Sequence, residues 1–396
     1  MQKRRIILVV IAGLIIIAIA FTLINLQSIK NKGFGGFISG LFGNSAEMGL
    51  DEIILDSESQ HALEYGVSGD SIVYAGNQGV SAINFKGEWL WDENSVSFMK
   101  PYIKSKGDYV VVAEIGGKHI LLFSKNQLIW KNEFEGKIIS ADINKDGNVA
   151  VAYKVENYNA AISVLKPSSA DGTSGDIIFT NKINSEHLIS IALSENFGQL
   201  LINGFSMEGE IITGSMTFVD TGTGNSFSAV KKEDEIYTFG KYINDETVIA
   251  ANPNSLRKVR KTKTANADHD SDTELWQDTR EMYAVEVVDN SYIITASGSD
   301  RDGIFSENTQ TMINVMDING KSLHSFLAQN TVNRIDTGKG LFAISSEKFT
   351  EIYNINGEKL FEYETVSEIQ KVMIIDSTNF VVQTKKNVYI LSAYKI

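Results

Sequence analysis

From about residue 53 to the end, hydrophobic positions fall in short runs of β-branched and aromatic residues, broken by Gly, Asn and Asp, with almost no helical periodicity. Such a pattern predicts short strands joined by tight turns. Three segments repeat closely: residues 81–91 read SAINFKGEWLW, 314–326 read NVMDINGKSLHSF and 351–361 read EIYNINGEKLF. Each is an apolar strand, an Asn/Asp-x-x-Gly turn and a second strand, with Gly87, Gly320 and Gly357 where the turn needs a positive φ. A repeat of about 40 residues that supplies four short strands predicts propeller blades. The strands group at residues 61–92, 99–132, 138–180, 187–230, 236–277, 282–326 and 332–363, and a last piece at 369–392 holds only three. Glu52-Ile-Ile-Leu-Asp56 precedes the first complete blade and is the candidate for the missing strand, closing residues 51–396 into one ring. The expected fold is therefore all-β, an eight-bladed propeller. Seven blades result if the weakest group, 236–277, is misread.

The N-terminus breaks this pattern. Residues 6–26 form an uncharged apolar run of 21 residues, long enough as a helix to span a hydrocarbon core of about 30 Å. Lys3, Arg4 and Arg5 precede it, and positive flanks stay in the cytoplasm. One transmembrane helix is thus expected, with residues 1–5 inside and everything after residue 26 extracytoplasmic. Cleavage after Ala20, in the small-x-small triplet Ala18-Ile19-Ala20, is the competing reading. Residues 27–50 mix glycines with Phe34, Phe37 and Phe42 and read as a juxtamembrane tether.

Composition narrows the function classes. The chain has 396 residues, of which 43% are hydrophobic, enough for a sizeable core. The net charge is −13, and the first 26 residues hold three bases and no acid, so the predicted ectodomain is more acidic still. An acidic body repels phosphate backbones, which excludes nucleic acid as the expected partner. With no cysteine, disulfides, thiolate catalysis and Cys-ligated zinc are excluded.

Residues 71–91, SIVYAGNQGVSAINFKGEWLW, resemble the repeat of pyrroloquinoline-quinone-like propellers, matching it at Tyr74, Gly76, Gly79, Ala82, Asn84, Gly87 and Trp91. As a whole, the anchor, the Gly/Phe tether and the propeller resemble membrane-anchored propeller proteins of low-GC Gram-positive bacteria known only as a family of unknown function. The first resemblance implies a fold, and in its enzymes a quinone on a tryptophan platform with Ca²⁺ and a catalytic Asp. Here Trp89, Trp91, Trp130 and Trp276 occupy hairpin strands, where blade packing claims them, so no cofactor is expected.

Candidate chemistry is sparse. Asp142-Ile-Asn144-Lys-Asp146-Gly147 matches half of a calcium loop, but its twelfth position is Tyr153 rather than Glu, which favours an ordinary turn. Asp300 and Asp302, and the cluster Asp268, Asp270 and Asp272 with Glu274, are weak metal candidates for which a solvated loop is the simpler reading. The five histidines are scattered and no nucleophile elbow or phosphate loop is present. The basic run Arg257-Lys258-Val259-Arg260-Lys261-Thr262-Lys263 reads as a mobile loop neutralised by that acidic cluster, or as a dock for an anionic partner.

In a propeller, connections between the second and third strands of a blade emerge on the same face as those between blades. The long connections 154–159, 206–210 and 298–310 then share one face, and 166–176 and 261–273 the other. Recognition concentrates on long loops over rigid scaffolds, so Tyr158, Met207, Asp300, Asp302 and Phe305 are the expected partner-binding residues. The expected role is a non-catalytic scaffold that binds an envelope protein or wall polymer. The alternative is an extracytoplasmic enzyme or sugar sensor using acidic residues at the propeller channel.

Overall fold

The computed structural model describes residues 52–56, 62–168, 173–263, 270–278, 280–298 and 311–392. They form eight four-stranded antiparallel sheets, which makes the fold an eight-bladed β-propeller. Seven blades are contiguous, at 62–93, 101–133, 138–183, 187–233, 239–277, 282–327 and 334–364. The eighth combines 369–392 with the N-terminal strand Glu52–Asp56, which pairs antiparallel with Asn387–Ser392 as its outermost strand. Among the described residues no helix is long and apolar enough to cross a membrane, and the predicted span at 6–26 lies outside them.

Position in the blade explains the hydrophobic pattern. The second and third strands are covered on both faces by neighbouring blades, so they read as continuous apolar runs such as YVVVAE and HILLFS. Outermost strands meet solvent and read as mixed sequences such as QLIWKNE. Each core cluster straddles two blades: Val111, Ile120 and Leu122 of blade 2 pack with Val149, Val151 and Ala161 of blade 3. Ile54 and Leu55 of the closing strand pack with Tyr65, Ile72 and Ile83 of blade 1 and with Val381 and Val388 of blade 8.

The repeated Asx-x-x-Gly turns serve this stacking. Asn84 Oδ1 accepts the N–H groups of Lys86 at 2.9 Å and Glu88 at 3.0 Å, and Asn354 and Asp317 repeat the arrangement. Gly87 has φ +77°, and a Cβ there would lie 2.8 Å from the Ile54 carbonyl oxygen. Gly320 stands in the same relation to the Leu275 carbonyl oxygen, at 2.9 Å. Glycine is required twice over, by its backbone conformation and by the approach of the turn to the outermost strand of the preceding blade.

Candidate functional site

The face that carries the connections between blades is rigid because each connection is pinned by the turn beside it. Glu114, at the end of the second strand of blade 2, is buried and accepts the N–H groups of Met99 at 3.0 Å and Lys100 at 2.8 Å. Phe134 N–H donates to the Lys118 carbonyl at 2.9 Å, Ala328 N–H to Thr311 at 2.9 Å and Thr365 N–H to Lys348 at 2.9 Å. Backbone donors that would otherwise be buried without partners are thereby satisfied.

On this frame the exposed apolar side chains are unevenly distributed. Of eleven large hydrophobic residues exposed among the described residues, Met99 and Val366 stand on connections of this face, and Tyr158, Met207 and Ile211 on strand ends beside its turns. The expected long connections 154–159 and 206–210 are two-residue turns between extended strands. Leu63 and Leu327 lie at its rim, leaving four elsewhere on the ring. Tyr158 has the Lys182 ammonium 5.1 Å from its ring centroid, a cation–π contact that holds it over blade 3. Asp300, Asp302, Phe305 and Asp268 lie outside the described residues.

Blade 4 projects furthest from its own sheet. Its middle strands, Gln199–Glu208 and Ile211–Asp220, have ten residues each and pair to the tip, where Gly209 turns with φ +65°. The first strand of the blade pairs only as far as Phe205 and the fourth only as far as Thr213, so the tip is a two-stranded ribbon. Strand alternation places Phe205, Met207 and Ile212 on the side of Leu201, Met216 and Phe218, which pack against blade 5. Glu208 and Ile211 fall on the side of blade 3. Blade 5 itself has only a short turn at Pro253 and Asn254. Beside that turn lies a cleft of about 310 Å³, lined by Phe239, Pro253, Met282, Tyr283, Glu286 and Arg334. Of these features, sequence reasoning picked out Met207 and the connection 206–210 that bears it, but neither the extended strands nor the cleft.

The channel is lined by the innermost strands, and its charges are latched between blades. Lys371 meets Glu64 at 2.7 Å, Lys104 meets Asp142 at 2.5 Å and Lys241 meets Glu286 at 3.1 Å. Burial works to lower the Lys104 pKa, but Asp142 beside it raises the net value. Asp142 also accepts Leu193 N–H at 2.7 Å, so the half calcium loop is built into the channel wall and the Asn144 turn. Asp336 differs. It accepts Val372 N–H at 3.2 Å, and burial pushes its carboxyl up to about 7 against the opposing charges of Arg334 and Lys371. All four tryptophans lie on outermost strands, so none can form a platform in this channel.

The basic run corrects one expectation. Residues 255–260 are a strand, not a mobile loop, and pair with Ser271–Gln277. Arg257 bonds Asp272 at 2.8 Å and Glu274 at 3.2 Å, Arg260 meets Glu246 at 2.9 Å, and Lys263 meets Asp220 at 2.5 Å. Asp270 meets Lys261 at 3.3 Å and accepts Thr262 N–H at 2.9 Å. Arg257 faces Glu274 across the strands and reaches Asp272 on the diagonal, opposite-charge contacts that favour this pairing. Asp270 and Asp272 are thus committed to cations of their own chain, and no group of three or more metal-binding side chains occurs among the described residues.

A family model described as a family of unknown function, DUF5711, matches residues 51–392. The chain belongs to this family. No curated protein matches it. Among solved structures, it is similar to BamB from Moraxella catarrhalis, with 16% identity, a TM-score of 0.54, and 88% of this chain and 100% of that one covered. Sqt1 of Saccharomyces cerevisiae gives 10% identity and a TM-score of 0.60 over 88% and 99% of the two chains. The Dos1 propeller gives 13% identity and 0.54 over 88% and 94%. At such identities these likenesses establish the DUF5711 fold as a propeller and carry no function.

Proposed function

We propose that this chain is a membrane-anchored, extracytoplasmic scaffold that binds a partner protein through the face bearing its inter-blade connections. The observation that carries the reading is the gathering of exposed apolar side chains on that face, beside a cleft and a projecting ribbon. Large exposed apolar surface is costly to keep unless a partner covers it. The apolar run at residues 6–26 behind Lys3, Arg4 and Arg5 supports the anchor and the outside location. Weighing against catalysis by channel carboxylates, Glu64, Asp142 and Glu286 each have a lysine partner.

Because the chain has no cysteine, single cysteines report without background. A cysteine at Met207 or Met99 bearing a crosslinker is expected to capture one partner in intact cells, whereas one at Ile177 or Leu323, away from this face, is not. Equal capture from both sets overturns the reading. Labelling of a cysteine at Ile177 by a membrane-impermeant maleimide in intact cells checks the topology, and protection until lysis overturns it.

A further inference from the structure

Blade 1 carries a second cavity, distinct from the cleft of blades 5 to 7, and its chemistry points to a different ligand. It has a volume of about 190 Å³ and is lined by Tyr74, Gln78, Ser81, Trp89, Asp92 and Asn94. Tyr74, Ser81 and Asp92 are direct neighbours across three strands, so they share one face of the sheet. A bulge between Ala82 and Ile83 then separates the two tryptophans of the outermost strand. Trp91 falls opposite Ala82 and stacks on Phe123 of blade 2 at 4.7 Å, in the core. Trp89 falls opposite Ile83, on the face of Tyr74, Ser81 and Asp92, and is 61% exposed. The sequence expectation that Trp89 serves blade packing therefore fails, because the bulge turns its indole outward.

The donors and acceptors around it are held in place. Tyr74 is buried against Tyr65, its ring 6.0 Å away, and burial raises the pKa of its hydroxyl, beside which lie Ser81 and the Asp92 carboxylate. Asn94 donates to Asp92 at 2.5 Å. No Lys or Arg lines the cavity, so it is not built for a phosphate or carboxylate. Its amides, hydroxyls and carboxylate make it too polar for an acyl chain, and its size excludes more than one small ring. A flat apolar aromatic surface beside several hydrogen-bonding groups suits a molecule with one C–H face and an equatorial belt of hydroxyls.

We propose that this cavity binds a neutral pyranose unit, with Trp89 against the C–H face of the sugar and Asp92, Asn94 and Gln78 on its hydroxyls. Gln78 and Asn94 stand on connections of the protein-binding face, but the cavity belongs to blade 1 and shares no residue with the blade 4 ribbon or the cleft of blades 5 to 7. Free sugar and one residue of a glycan chain share this chemistry, and chain length separates them.

The test titrates the full-length protein in detergent with methyl hexopyranosides and methyl N-acetylhexosaminides, and with tetrasaccharides of each, read by saturation-transfer NMR. Saturable binding is expected on the order of millimolar for a single unit. Trp89→Ala and Asp92→Asn each weaken it by at least about tenfold, Trp89→Phe restores part of it, and Met207→Asp leaves it unchanged. Tighter binding of a tetrasaccharide assigns the site to a glycan chain, and equal binding assigns it to free sugar. Absence of saturable binding by any glycoside overturns the proposal. So does binding that survives both Trp89→Ala and Asp92→Asn, whose unchanged melting temperatures verify folding.

Discussion

Asp336 sits on the innermost strand of blade 7, where burial makes its charged form costly and the neighbouring Glu286 adds to the cost. With its carboxyl pushed up to about 7 from an ordinary 3.8, the folded chain keeps a proton that the unfolded chain has lost between those values. Stability attributable to this group is therefore full below about pH 4, declines as pH rises to about 7 and is flat above. The carboxylates held low by cations or hydrogen bonds, such as Asp272 and Asp376, act in the opposite sense and only at lower pH. Thermal melts from pH 5 to pH 8 are expected to show a falling midpoint in the wild type. Asp336→Asn keeps the acceptor for Val372 N–H, and should flatten that slope while stabilising the protein at pH 8 by about 1–3 kcal/mol. Asp336 is half-buried, whereas Glu114 is buried and has a different task. Glu114→Ala leaves the Met99 and Lys100 N–H groups without their acceptor, at a cost of about 1–3 kcal/mol. Faster hydrogen exchange at those two amides, with the rest of blade 2 unchanged, is the expected signature.

At the scale of the element, what is legible depends on the range of the interaction. The Asx-x-x-Gly hairpins could be read directly, because a side chain accepting from N–H groups two and four residues on, and a glycine at positive φ, are local requirements. The ribbon of blade 4 was not legible. FSMEGEII has the same alternation as any blade hairpin, and it projects only because the strands flanking it, His187–Leu193 and Ser226–Glu233, end earlier. Trp89 and Trp91 fail to separate in sequence for a similar reason, since a bulge set by pairing decides which faces solvent. The basic run read as a loop because its cross-strand acids lie beyond an intervening segment. Since the ribbon tip lies outside the four-stranded pairing, replacing residues 207–212 by a two-residue turn should move the melting midpoint by less than about 4 °C, equivalent to under 1 kcal/mol. The same change should abolish crosslinking through a cysteine at Met99 if the ribbon and that connection contact one partner.

The whole molecule is held by closure of the ring. Each blade buries both faces of its middle strands against neighbours, so opening the ring at one place would expose two such faces at once. Only blade 8 is assembled from the two ends of the chain, and its outermost strand is held by pairing with Asn387–Ser392 and by the side chains of Ile54 and Leu55. The other seven blades have all four strands joined in sequence, so a weakened contact there leaves the strands tethered at short range. Leu55→Ala removes buried methyl groups and should cost about 2–4 kcal/mol, no more than Leu122→Ala in the core of blades 2 and 3. The two variants should differ in how they open. Loss of Leu55 lets the strand Glu52–Asp56 detach while the rest stays folded, so amides of Asn387–Ser392 should exchange hydrogen well below the global unfolding free energy. Leu122→Ala should exchange its core amides only through global unfolding. If the protection of residues 387–392 falls no further in Leu55→Ala than in Leu122→Ala, the closing strand is not the weak point of the ring.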